Sequence, residues 1–138
     1  MRKTIVVTLI VLMLSAMALT ACGGGASDGP VIGDAAKGEE LYNRATLGSK
    51  SSEGCVACHN YDETQGDETD APFTAGTATK AEGRVPGLSA EEYILESIVN
   101  PDAYVVEGYN AGDMYQSWGE DLSEQEMADI IAYLLTLK

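Results

Sequence analysis

Five consecutive residues, Cys55-Val56-Ala57-Cys58-His59, carry the chemistry of this chain. Two cysteines three positions apart with a histidine directly after the second form a C-x-x-C-H motif, the pattern of covalent haem attachment. Each residue type has a task at that spacing. The two sulfurs can add to two vinyl groups on one side of a haem, giving two thioether bonds. The adjoining imidazole of His59 is then held beneath the iron as its proximal ligand. Gly54, just before the motif, leaves room for close chain packing at that edge.

Other readings of C-x-x-C need different surroundings. A redox dithiol belongs in a βαβ setting, and nothing strand-like flanks these residues. Structural zinc needs four ligands, and the chain holds three cysteines and one histidine. A Cys55–Cys58 disulfide would give His59 no role. A second axial ligand must come from another residue type, because His59 is the only histidine. Methionine is the next expectation, since His/Met ligation raises the reduction potential. Beyond the N-terminal segment the methionines are Met114 and Met127. Met127 shares a helical stripe with Ile130, Ile131 and Leu134, where a methionine reads as core. Met114 sits among glycines in an irregular stretch, where a thioether can be aimed at a metal, and is the expected distal ligand.

The elements that must position these groups read as helices. Asp34 is a helix N-cap, followed by Gly38, Leu41, Tyr42 and Ala45 on one face, with Gly48 and Ser49 as the stop. Ser89-Ala90-Glu91-Glu92 is a capping box opening a helix whose buried face is Ile94, Leu95, Ile98 and Val99. Asn100-Pro101 ends it. A second capping box, Ser123-Glu124-Gln125-Glu126, opens a helix expected to run to Lys138, with Met127, Ile130, Ile131, Tyr133, Leu134 and Leu137 inward. Residues 60–83 lack periodicity and read as a long, mainly solvated surface loop. Residues 102–122 read as irregular, and no strand pattern or internal repeat stands out.

The N-terminus reads as an export signal. Arg2 and Lys3 precede an apolar run from Ile5 to Leu19, and Leu19-Thr20-Ala21-Cys22 follows. This resembles the lipobox of bacterial lipoproteins, in which cleavage precedes the cysteine and the cysteine is lipidated. The implied organisation is a signal peptide at 1–21, a lipid-anchored Gly/Ser/Pro-rich tether at 22–33 and one domain at 34–138. The alternatives are an uncleaved transmembrane anchor and a cleaved, unlipidated signal. In each case the domain is expected outside the cytoplasmic membrane, on the periplasmic side.

Acidic residues outnumber basic ones 22 to 8, giving a formal charge of −14 that becomes −16 once Arg2 and Lys3 leave. Such a charge argues against nucleic acid or an anionic lipid surface as partner. With 45% hydrophobic residues the chain is not disordered by composition.

Taken in order, the helix with Gly38 and Tyr42, the Cys55–His59 motif, Pro86-Gly87-Leu88, Asn100-Pro101, Met114 and a final helix with Tyr133-Leu134 resemble a small monohaem class I cytochrome c. The resemblance spans about Gly33 to Lys138. It implies an all-α fold packed around one covalent haem c, and a carrier of single electrons. The carrier would serve respiratory or photosynthetic complexes, or be the monohaem subunit of a quinol-oxidising complex or terminal oxidase. It further implies that the Pro86 carbonyl accepts from Nδ1 of His59, that Leu88 packs on the haem face, and that the first and last helices cross at Gly38. Arg84 and Trp118 are candidates to meet the haem propionates, Arg84 otherwise being a solvated charge and Trp118 packed core. Tyr115 stands where the family usually has proline after the distal methionine. Residues 60–85 are also longer than in compact members. The competing function is an enzyme or sensor binding a small ligand at an open iron position, for which the chain offers no distal acid/base group. The acidic charge implies redox partners with a basic docking surface.

Overall fold

The structure is a computed structural model that describes residues 30–68 and 70–138. The expected export signal, Cys22 and most of the expected tether lie outside the described residues.

Helix α1 (Ala35–Tyr42) starts where expected, with the Asp34 carboxylate accepting from the amides of Ala36 and Lys37. It stops at Tyr42, a turn earlier than the periodicity suggests, so Ala45 is exposed rather than on its buried face. The Asn43 side chain closes the end by donating to the Glu39 carbonyl at 2.8 Å. A two-stranded antiparallel ladder, β1 (Thr46–Leu47) with β2 (Ser52–Glu53), then turns the chain toward the cysteines. Strands of two residues are too short to show alternation, which is why no strand pattern is visible in the sequence. Residues Gly48 (φ +77°) and Ser51 (φ +54°) make the reversal.

Helix α2 (Thr77–Ala81) forms inside the stretch expected to be loop. Helix α3 (Ala90–Val99) carries the Ser89/Glu92 capping box, with Ile94 and Ile98 buried. Its buried face is narrower than expected: Leu95 and Val99 are 40% and 38% exposed. A 3₁₀ turn at Pro101–Ala103 and the short helix α4 (Trp118–Asp121) break up the irregular region. Helix α5 (Glu124–Leu134) opens with the Ser123/Glu126 capping box and ends at Leu134, short of Lys138, with tight turns beyond it. Met127, Ile130, Ile131 and Leu134 are its buried apolar residues.

The frame is the crossing of α1 on α5, the most extensive helix contact among the described elements. Gly38 makes it possible: a Cβ there would lie 1.9 Å from the Asp129 carbonyl oxygen. Beside the crossing, the Tyr42 and Tyr133 rings pack with centroids 5.4 Å apart. The buried Asp129 carboxylate accepts from the Asp34 amide at 2.7 Å and the Gln125 side chain at 2.7 Å. The fold is thus all-α apart from the small ladder, as expected. Among the described residues no helix is long and apolar enough to cross a membrane.

Candidate functional site

A cavity of about 490 Å³ lies between the cysteine motif, α2, α3, α5 and the segment that carries Met114. Cys55, Cys58 and His59 line it, as does Met114, so the structure brings the four expected residues to one space. Met127 does not reach it and belongs to the core. Much of the remaining wall is apolar, with Ile94, Ile98, Ile130 and Leu134 contributed by α3 and α5.

The motif is shaped by its neighbours. A 3₁₀ turn at Cys55–Ala57 lets the His59 amide donate to the Cys55 carbonyl at 2.9 Å, which draws the histidine back beside the cysteines. Gly54 is required just before it, because a Cβ there would lie 1.9 Å from the Arg44 carbonyl oxygen. The close neighbour is backbone of the preceding segment. Burial pushes the Cys55 thiol up to about 11, so it stays protonated near neutrality. Cys55 and Cys58 form no disulfide. Among the described residues no three His, Cys, Asp or Glu side chains converge as the ligands of a metal ion would, and the zinc reading finds no support.

His59 is half-buried, and desolvation lowers its pKa, opposed by a backbone partner. That partner is the Pro72 carbonyl, 2.9 Å from Nδ1. A carbonyl can only accept, so Nδ1 carries the hydrogen and Nε2 keeps the lone pair that a metal takes. Here the structure corrects the sequence reading: Pro72, not Pro86, orients the imidazole. Pro86 is exposed and Leu88 only partly buried, and neither lines the cavity. The reason is the stretch from 60 to 83, which folds inward. Thr74 and Ala75 amides donate to the carbonyls of Asn60 and Tyr61 at 3.0 and 2.8 Å, and the Ala78 amide donates to Leu137. Ala71, Thr74 and Ala81 are buried. This segment is therefore a wall of the site, not a solvated insertion.

Sequence reasoning also missed the Tyr42 hydroxyl, which donates to the His59 carbonyl at 3.3 Å; burial raises its pKa. Trp118 is buried and lines the cavity, as does Arg84, whose Nε also donates to the Lys80 carbonyl at 3.1 Å.

Fold and site together define a class: a small helical domain built around a covalently attached prosthetic group. The sequence model of the cytochrome c family matches residues 35–138, and the chain belongs to the cytochrome c family. No curated protein matches the chain closely enough to count as a relative. The family carries haem c, and the residues present fit it: two thiols and an imidazole with a free Nε2 face an apolar cavity. Cys55 and Cys58 would hold the group by thioether bonds, and His59 would bind its iron. When bound, it supplies an iron that exchanges one electron. The function at this level is haem-based electron transfer, and family members are usually carriers rather than enzymes.

Proposed function

We propose that this protein is a membrane-anchored class I cytochrome c that relays single electrons through a His59/Met114-ligated haem. The observation that supports this most is Met114 lining the same cavity as His59. A haem iron held by both His59 and Met114 would change charge without binding substrate, which suits a carrier and not a ligand-binding sensor or enzyme. The chain contributes the rest. Pro72 and Tyr42 fix the histidine segment, and apolar helix faces keep water from the iron's surroundings, both of which tune the potential.

The anchor in this reading is a lipid on Cys22, at the outer face of the bacterial cytoplasmic membrane. Cys22→Ser should abolish lipid labelling of the exported protein. The wild type should give an intact mass for a chain beginning at Cys22 with added acyl groups. An uncleaved, unmodified N-terminus would replace the lipid by a transmembrane anchor.

The partner in this reading offers a basic docking surface to the acidic protein, whether as a separate complex or as fellow subunits of a quinol-oxidising complex or terminal oxidase. Glu63 and Asp67 in the 60–70 segment are exposed and Asp62 is half-buried, while Glu68 and Asp70, also exposed, line the cavity. Complementary charge mainly raises the encounter rate. Electron transfer from the detergent-solubilised protein to its oxidant should therefore slow steeply as salt rises, since exposed charges are screened beyond about 8 Å at physiological ionic strength. Neutralising the five acids at 62, 63, 67, 68 and 70 should flatten the dependence. A salt-independent rate would defeat charge steering. Failure to pass electrons to any one-electron oxidant would defeat the carrier role.

A further inference from the structure

The segment bearing Met114 has no regular secondary structure of its own between Gly112 and Ser117. Its position depends on side chains. On the segment's exposed side, the Asp102 carboxylate accepts from the Gly112 amide at 2.8 Å and from the Gln116 side chain at 3.3 Å, and Gln116 also donates to the Met114 carbonyl at 2.8 Å. Asp102 and Gln116 are largely in contact with water, where such bonds open readily.

The buried anchor is built differently. The Tyr115 hydroxyl donates to Oδ2 of Asp121 at 2.6 Å, and its ring meets Trp118 edge-on with centroids 4.8 Å apart. Asp121 is 5% exposed, and its second carboxylate oxygen accepts from Ser49 Oγ at 3.1 Å and Lys50 Nζ at 2.9 Å. Its backbone carbonyl accepts from the Ser49 amide at 3.0 Å. Gly48 lies against its side chain, with an added Cβ only 3.0 Å from Asp121 Cβ. Residues 48–51 form the turn of the β1–β2 hairpin, which leads directly into Cys55. One buried carboxylate thus joins the segment carrying Met114 to the chain that delivers the cysteine motif.

We propose that Tyr115 and Asp121 form a latch that holds the Met114 segment closed, making Asp121 the positioning residue that sets how readily the Met114 thioether leaves the iron. The proposal rests on Met114 being the distal ligand. A hydrogen bond from a hydroxyl to a buried carboxylate is among the stronger side-chain interactions, and an opening that breaks it leaves a buried charge short of a partner. Asp102 and Gln116 do not replace it, because both are exposed and their bonds open readily in water.

The test uses ferric full-length holoprotein and imidazole as the probe. At saturating imidazole the exchange rate is limited by loss of the methionine. Tyr115→Phe should raise that limiting rate by about tenfold or more, the range that a charged hydrogen bond supports. The weak sulfur-to-iron charge-transfer band of the resting protein should persist. Asp121→Asn should act in the same direction, and the double variant should show much less than the product of the two effects, because the residues act as one pair. Asp129→Asn serves as the structural control, since that carboxylate ties α1 to α5 and makes no bond to the Met114 segment. It should lower the denaturation midpoint with the limiting rate unchanged. Unchanged rates in Tyr115→Phe and Asp121→Asn would overturn the latch, as would an equal rise in Asp129→Asn. Should Asp121→Asn fail to fold, Tyr115→Phe alone decides. A wild-type band that Met114→Ala removes, with no rate change in Tyr115→Phe, refutes the latch and leaves the ligation standing. A wild type without that band refutes the ligation and the latch together.

Discussion

Met114→Ala should abolish the sulfur-to-iron charge-transfer band of the ferric protein and lower its reduction potential. Axial ligands are the strongest lever a protein has on haem, spanning about 0.8 V across haem proteins. Replacing a thioether by water or hydroxide should therefore move the potential down by an appreciable part of that range, on the order of 0.1 V. A spectroelectrochemical titration reads both changes in one sample. The same variant should bind carbon monoxide readily when reduced, whereas the wild type should resist it, and this contrast separates a carrier from a ligand-binding sensor. Met127→Leu is the matched control. Met127 is 8% exposed and packed in the core, away from the cavity lining. A near volume-conserving change there should cost less than about 1.5 kcal/mol and leave band and potential alone. Loss of the band in Met127→Leu, with Met114→Ala unaffected, would overturn the ligation.

The haem motif was legible because its chemistry demands adjacency. Two sulfurs and an imidazole must sit on one short turn, so Cys55, Cys58 and His59 are neighbours in the sequence as well as in space. The helix starts were legible for a similar reason, since Asp34, Ser89 and Ser123 cap amides two or three residues away. Helix ends were less so. Periodicity carried α1 on to Ala45 and α5 on to Lys138, whereas α1 turns away after Tyr42 and α5 stops at Leu134. The 60–83 segment was misread because its inward residues, Ala71, Thr74 and Ala81, are small, and small side chains leave little hydrophobic signature. Pro72 was missed for a deeper reason. The group that orients His59 is a backbone carbonyl, which every residue possesses, so only tertiary structure selects Pro72 over Pro86. The Tyr115–Asp121 bond is similar in kind. The pair lies six positions apart, a spacing with no helical meaning, and burial of the carboxylate depends on Ser49 and Lys50 arriving from far away in the chain.

Gly38→Ala should destabilise the holoprotein even though alanine is the better helix former. On an isolated helix the exchange would gain about 1 kcal/mol. Here the new methyl would stand 1.9 Å from the Asp129 carbonyl oxygen and 2.8 Å from Tyr133 Cβ. Both obstacles belong to α5, and the first is backbone, so no rotamer change relieves it. The two helices must move apart. Overpacking of this kind typically costs 1–3 kcal/mol and sometimes more, so a net loss of at least about 2 kcal/mol is expected. The cost extends to the site. Tyr42 from α1 and Ile130 and Leu134 from α5 all line the cavity, and Tyr42 holds the His59 carbonyl. Separating the helices pulls on that wall. Gly119→Ala supplies the comparison. Its nearest neighbour would be Val99 Cβ at 3.5 Å, an ordinary contact, and it lies within α4. That variant should be neutral or gain up to about 1 kcal/mol. Guanidinium unfolding of both holoproteins gives the two signs directly. Equal or higher stability for Gly38→Ala would mean that the α1–α5 crossing does not need the close approach seen here.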